Sequence, residues 1–197
     1  MRMRFLLLGL VGVALGACAA PSRGVGHPPA AAPAATATTR AAATSSVRPR
    51  RLPAGLSPAA SRRPAPALQV TAFDGRTITV RGHLGRPVLV SFFESWCPIC
   101  NAEQPDLSRV TGEFAGRVAA VGVSYHDTVA AGRAYQRRYA VGYPLANDRS
   151  GRTWARWGVP YQPVLVLVDK RGRVAARFDG GTTAATLRAD LAYLLGE

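Results

Sequence analysis

Acidic and aromatic side chains are absent from one long stretch of this 197-residue chain. Between residues 19 and 67 there is no Asp, Glu, Phe, Trp or Tyr, whereas nine of the fifteen prolines lie there among alanine, threonine, serine and arginine. A segment of this composition has little large apolar surface to bury, so it predicts a disordered tether. We therefore expect the folded domain to span residues 68–197.

The net charge of +14 is concentrated at the N-terminus. The first 67 residues hold nine arginines and no acid, whereas the rest of the chain holds 16 basic and 11 acidic side chains. Arginine-rich runs at residues 48–51 and 62–63 lie in the predicted tether, where they are either solvated or rest on an anionic membrane surface. No basic helix or aromatic-interleaved patch accompanies them, which argues against a nucleic-acid partner.

Cysteine is scarce, and the first of the three, Cys18, lies near the N-terminus. It follows a basic start, an apolar run over residues 5–15 and the small residues Gly16 and Ala17. This order is typical of a secretory signal, and the run is too short for a membrane span. Because Leu-Gly-Ala-Cys resembles the bacterial lipobox, we predict a lipoprotein signal peptide over residues 1–17 and a lipidated Cys18.

The tether that begins with Cys18 and covers residues 18–67 would then hold the domain at the extracytoplasmic face of the cell membrane. An ordinary signal peptide is the alternative, and it would make the protein secreted.

The apolar pattern of the remaining chain predicts an α/β domain. Strands are expected at residues 70–73, 77–80, 88–93, 118–123, 164–168 and 174–178. Helices are expected from Cys97 to Phe114, with a kink at Pro105, and at residues 128–139, 152–157 and 183–195. This order predicts a parallel core with an antiparallel edge.

Cys97 and Cys100 lie three residues apart, where strand 88–93 gives way to a helix. A helix N-terminus stabilises the thiolate that attacks disulfides, and Pro98 occupies a position where a missing N–H has no cost. We predict that Cys97 is the nucleophile and that Cys100, one turn deeper, resolves the mixed disulfide. Such a redox-active disulfide needs no cofactor.

The residues alone leave two other uses of the pair to weigh against redox exchange. One is a non-catalytic metal-binding or scaffold module, in which the pair could be half of a zinc site. Zinc would need two more ligands, and the domain offers His83 and His126. We expect no metal, and we interpret His126 as an ordinary loop histidine. A peroxidase would need a Thr-x-x-Cys context, which Glu94-Ser95-Trp96-Cys97 lacks.

These motifs resemble the thioredoxin-like superfamily, and within it the extracytoplasmic TlpA, ResA and DsbE type. The resemblance covers about residues 68–197 and is carried by the run 92–100, by Pro105 and by the run 159–163. The latter run, Val-Pro-Tyr-Gln-Pro, is most similar to the actinobacterial DsbE/DsbF-like proteins. The resemblance implies a thioredoxin-like fold, with a central mixed sheet flanked by helices and an added N-terminal β-hairpin.

The resemblance also implies a substrate groove beside the cysteine pair. Its expected members are Trp96, Pro98, Ile99, Gln162 and Pro163. Pro163 would be the cis-proline that faces the disulfide, and the backbone of Gln162 would pair with a substrate chain. Three further aromatic residues near Pro163 fit either a core or lid position or a substrate contact, namely Trp154, Trp157 and Tyr161.

Glu103 is the candidate proton relay. It lies three residues after Cys100 on the same helical face as Leu107, so its carboxyl group should be partly desolvated and have a raised pKa. The resemblance places it where ResA-like proteins carry a Glu beside the disulfide, whereas an exposed Glu paired with an arginine is the alternative. Ser91 stands where cytosolic thioredoxins have a buried acid, and serine cannot serve as that base.

The sequence therefore predicts a monomeric, membrane-anchored thiol–disulfide oxidoreductase with exported proteins as substrates. A membrane redox partner would recharge it. We prefer the oxidase direction because of the Cys-Pro-x-Cys core and the DsbE/DsbF-like run. The alternative is a reductase for cytochrome c maturation.

Overall fold

Seven strands form one mixed sheet in the computed structural model of the protein, which describes residues 50–197. The strands are β1 (Gln69–Ala72), β2 (Thr77–Thr79), β3 (Val88–Phe92), β4 (Ala119–Ser124), β5 (Leu145–Asn147), β6 (Val164–Val168) and β7 (Val174–Asp179). The helices are α1 (Pro98–Glu113), α2 (Val129–Arg138), α3 (Arg152–Arg156) and α4 (Ala184–Leu195). Short 3₁₀ turns lie at Ala59–Ser61 and Arg81–His83.

The strand order places β3 inside the sheet, between β4 and β6. The order is β2-β1-β5-β4-β3-β6-β7, in which β3 runs parallel to β4 and antiparallel to β6. Every residue of β3 and of β6 is buried, as continuous apolar runs predict. The thioredoxin-like mixed sheet is confirmed, and so is its N-terminal hairpin, formed by β1 and β2.

Strand β5 is missing from the sequence prediction. It has three residues, too few to show a period of two. It pairs with β4 in parallel and with β1 antiparallel. The N-terminal hairpin is therefore joined to the central strands through β5 and extends the same sheet.

Apolar side chains cover both faces of the sheet. One cluster includes residues of α1 and α4 together with both cysteines of the pair. The other includes Trp154 and Trp157, whose rings lie 5.8 Å and 5.7 Å from the ring of Phe92 between centroids. These two tryptophans are buried core residues, whereas Tyr161 is exposed.

The folded domain begins before residue 68, which corrects the predicted boundary of the tether. Residues 50–67, here called the N-terminal arm, contact β7: the Ser57 N–H donates to the Ala175 carbonyl oxygen at 2.8 Å. Leu56 is buried in the apolar cluster that includes α4. The predicted signal peptide and residues 18–49 of the predicted tether lie outside the described residues.

A buried arginine explains why composition misplaced this boundary. The guanidinium group of Arg62 lies 3.3 Å from the Asp169 carboxylate and donates to the Glu197 carboxylate at 2.9 Å. Burial of an arginine requires such partners, and both of them come from distant parts of the chain. Counting large apolar residues therefore cannot identify a segment that buried ion pairs attach to the folded domain.

Asp190 of α4 is wholly buried, and neither of its carboxylate oxygens has a hydrogen-bond partner within residues 50–197. Gly55 of the N-terminal arm passes so close that any side chain there would overlap this carboxyl group and lie 3.1 Å from the Phe178 ring. Burial raises the pKa of Asp190 to about 6, because the charged form loses its hydration.

We expect Asp190→Asn to change how stability depends on pH. A carboxyl group with a raised pKa in the folded state favours folding while it is protonated, and this contribution is lost as the pH rises from about 4 to about 6. The free energy of unfolding of the wild type relative to the variant should fall by about 2 kcal/mol between about pH 4 and pH 7. Urea denaturation would measure it, and a constant difference would contradict the assignment.

Candidate active site

The cysteine pair lies at the first turn of α1. Cys97 is the N-cap residue, and its sulfur accepts a hydrogen bond from the Cys100 N–H at 3.1 Å. Pro98 opens the helix, as its missing N–H predicts. Both cysteines are buried and have free thiols, whereas the neighbouring Trp96 and Ile99 are 60% and 53% exposed. The pair is therefore set just below a rim of exposed apolar side chains.

The surroundings of Cys100 disfavour its thiolate. Burial raises the pKa of Cys100 first of all, and a hydrogen bond with Cys97 acts in the same direction. A hydrogen bond from the Glu94 backbone lowers it, and the net effect is upward. Cys100 thus retains its proton to a higher pH than an exposed cysteine would.

A cis peptide bond joins Gln162 and Pro163, as the resemblance implies. Phe92 at the end of β3 pairs with Val164 at the start of β6. Because β3 and β6 are antiparallel neighbours, the residues after Phe92 and before Val164 emerge at the same edge of the sheet. This places the proline loop on the same side of the sheet as the segment that leads to Cys97.

Glu103 lies on α1, one turn beyond the pair. Its side chain is half-buried, and burial raises its pKa. Its charge also raises the pKa of Cys100, though less than burial does. Within residues 50–197 its carboxylate makes no hydrogen bond or ion pair, so the alternative of an arginine partner is not seen there. It lines a cavity of about 150 Å³ with residues that include Leu165 and Leu187.

Sequence reasoning missed Glu94, which is the only wholly buried glutamate in the described part of the chain. Its Oε1 atom accepts hydrogen bonds from the backbone N–H groups of Tyr125 and His126, at 2.8 Å and 2.9 Å. The sequence contained a signal, because Glu94 directly follows the predicted buried strand at residues 88–93. His126 stacks against Tyr125, with 4.0 Å between ring centroids, and this contact fits the interpretation of His126 as a loop residue.

Sequence reasoning also missed the tyrosines that hold the first turns of α1. The Tyr135 hydroxyl donates to the Cys100 carbonyl oxygen at 3.1 Å, and the Tyr139 hydroxyl donates to Asn101 Oδ1 at 2.7 Å. Asn101 in turn donates to the Cys97 carbonyl oxygen at 2.8 Å. These contacts come from α2 and the residue after it, so no local pattern reveals them.

Ser91 is buried within β3, at the position where the resemblance would place an acid. Among residues 50–197 no group of three or more His, Cys, Asp and Glu side chains is arranged to hold a metal ion. Cys18, the expected lipidation site, lies outside these residues.

Comparison with known proteins agrees with this geometry. A family model described as the AhpC/TSA family matches residues 62–177. The soluble secreted antigen MPT53 of Mycobacterium tuberculosis is 33% identical over 127 residues, which are 64% of this chain and 69% of that protein. The thiol-disulfide oxidoreductase ResA of Bacillus cereus is 27% identical over 124 residues, which are 62% of this chain and 72% of that protein.

A solved structure shares the fold as well. The crystal structure of a secreted Mycobacterium tuberculosis disulfide oxidoreductase homologous to E. coli DsbE matches with a TM-score of 0.59 at 28% identity, covering 64% of this chain and 95% of that one. The fold, the cysteine pair at the start of α1 and these relatives define a class, the thioredoxin-like thiol–disulfide oxidoreductases. The chain belongs to the AhpC/TSA family.

Proposed function

We propose that the protein exchanges a Cys97–Cys100 disulfide with exported proteins. The observation that carries the proposal is the asymmetry of the pair: the sulfur of Cys97 caps a helix N-terminus, whereas burial raises the pKa of Cys100. In the oxidase direction a client thiolate attacks the sulfur of Cys97, forms a mixed disulfide and releases Cys100 as the leaving group. A second client thiol then displaces Cys97, so the client gains a disulfide and the pair is left as a dithiol.

Client binding is proposed at the rim around the pair. Trp96 and Ile99 expose apolar surface there, and Pro98 lies between the cysteines. Gln162, before the buried Pro163, makes no backbone–backbone hydrogen bond within the described residues. Its main chain is therefore open to pair with an extended client segment, and the apolar rim favours unfolded clients.

We expect Cys100→Ser to accumulate mixed disulfides with exported proteins, because a mixed disulfide at Cys97 can no longer be broken by attack from the neighbouring Cys100 thiol. Cys97→Ser is the matched control and should accumulate few, since Cys100, whose pKa is raised, retains its proton and cannot replace the attacking thiol. Non-reducing gels of alkylated extracts, followed by mass spectrometry, would identify the partners. Equal capture by the two variants would contradict the assigned roles.

The oxidase direction is the finer part of the proposal, and reduction for cytochrome c maturation is its alternative. It is supported by the Cys-Pro-x-Cys core and by similarity to the secreted disulfide oxidoreductase homologous to DsbE. A membrane partner would accept the electrons, since the protein must be reoxidised after each exchange.

The reduction potential of the pair distinguishes the two directions. Equilibration of the full chain with glutathione should give a potential between about −120 and −180 mV, the range of proteins that donate disulfides. A potential near that of thioredoxin, about −270 mV, would contradict the oxidase direction.

Glu103 is proposed as the proton relay for Cys100. Because burial raises the pKa of Glu103, its carboxyl group can give or accept a proton at a higher pH than an exposed glutamate. We expect Glu103→Gln to remove one inflection from the pH profile of dithiol oxidation. Asp106→Asn, an exposed acid on the same helix, is the control, and an unchanged profile in Glu103→Gln would remove Glu103 from the mechanism.

Anchoring to the extracytoplasmic face of the membrane through Cys18 is also proposed. The anchor rests on the sequence of residues 1–18 alone, whereas the secreted relative MPT53 supports only the extracytoplasmic location. Within residues 50–197 no helix combines the length and the apolar character needed to cross a bilayer.

A further inference from the structure

Glu94 is a buried carboxyl group to which the proposed exchange at Cys97 and Cys100 assigns no part. It lies two residues after the end of β3 and three residues before Cys97, and it is 0% exposed. A carboxyl group removed from water is destabilising unless other groups compensate for its lost hydration. The contacts of Glu94 therefore indicate what the protein gains from it.

The side chain of Glu94 binds the loop that follows β4. Its Oε1 atom accepts from the N–H groups of Tyr125 and His126, at 2.8 Å and 2.9 Å. Its Oε2 atom has no hydrogen-bond partner within residues 50–197. One oxygen thus satisfies two consecutive backbone donors, which fixes the course of the loop.

The main chain of the same residue contacts Cys97 and influences Cys100. The Glu94 carbonyl oxygen accepts from the Cys97 N–H at 3.1 Å. The Glu94 backbone also lowers the pKa of Cys100, which partly offsets the effect of burial. Glu94 is therefore the residue through which the loop after β4 and the cysteine pair meet.

We infer that Glu94 is a positioning residue of the redox site: its carboxyl group anchors the loop after β4, and this anchor holds in place the main-chain carbonyl group that binds Cys97 at the start of α1. The inference rests on the proposed exchange function. A reciprocal contact supports it, because the Asp127 carboxylate accepts from the Ser95 N–H at 2.9 Å and from the Ser95 hydroxyl at 2.6 Å. Each loop thus supplies a carboxyl group to the backbone of the other.

The pKa of Glu94 and its acceptor oxygen determine which variants test this role. Burial raises its pKa most strongly and the nearby Asp127 adds to this, whereas the two N–H donors and His126 lower it. The net effect is upward, so the carboxyl group keeps its proton to a higher pH than an exposed glutamate. Glutamine keeps an acceptor oxygen at the same position, whereas methionine has a similar volume and no such acceptor.

We expect Glu94→Met to lower the equilibrium constant for reduction of the full-length protein by glutathione about ten-fold, because a displaced Glu94 main chain no longer holds Cys97 in place and no longer favours the reduced pair. Glu94→Gln should lower it less than about three-fold, since the acceptor remains. Asp190→Asn is the matched control, a buried carboxyl group on α4 whose loss should leave this constant unchanged.

Two outcomes would overturn the inference. The first is a Glu94→Met protein with a lowered melting temperature and an unchanged equilibrium constant, which would make the role structural only. The second is an equal effect of Glu94→Met and Glu94→Gln, which would show that the acceptor oxygen does not carry the effect.

Amide hydrogen exchange in the wild type tests the inference without any variant, should Glu94→Met not fold. The exchange rates of the Tyr125 and His126 amides should differ about ten-fold between the dithiol and disulfide forms, whereas that of Leu191 in α4 should not. No difference would overturn the inference. If Cys100→Ser captures no client while these amides respond, the proposed function fails and the positioning role of Glu94 stands.

Discussion

The redox site depends on one contact, the hydrogen bond from the Cys100 amide to the sulfur of Cys97 at the first turn of α1. It requires that the helix begin immediately after the pair's first cysteine, which Pro98 permits. It also requires that the chain enter the helix from a rigid strand. Strand β3 meets that requirement, because it is wholly buried and paired on both sides.

Side chains from α2 and from the residue after it also fix the first turns of α1. Tyr135 and Tyr139 bind the backbone and side chain of residues within one turn of the pair. Pro105, inside the same helix, cannot donate the backbone bond that would normally support Asn101. The side chain of Asn101 donates to the Cys97 carbonyl oxygen and accepts from the Tyr139 hydroxyl, so it ties this turn to the pair and to the end of α2.

Carboxyl groups surround the pair although the chain as a whole is strongly basic. Glu94 and Glu103 have pKa values raised chiefly by burial, and they lie before and after the cysteines in the chain. The surroundings of the two carboxyl groups differ. Glu94 is fixed by two N–H donors, whereas Glu103 borders a cavity. The first arrangement suits a structural support for the site, and the second suits a group that exchanges protons.

Much of this protein follows from its sequence alone. Continuous apolar runs predicted β3 and β6, the change of period after Cys97 predicted α1, and the spacing of Cys97 and Cys100 predicted their place at a helix start. These features are local, so a few consecutive residues contain the whole signal. The cis bond before Pro163 was implied by resemblance to a family, not by the residues themselves.

The tertiary structure decided what depends on partners distant in the chain. Arg62 places the N-terminal arm in the folded domain because it meets Asp169 and Glu197, and composition could only suggest a tether there. Glu94 became part of the site because the loop after β4 brings it two donors from residues 31 and 32 positions away. Spacing along a chain determines which groups share one helix turn, whereas burial and hydrogen bonding across the sheet arise only when separate segments have packed together.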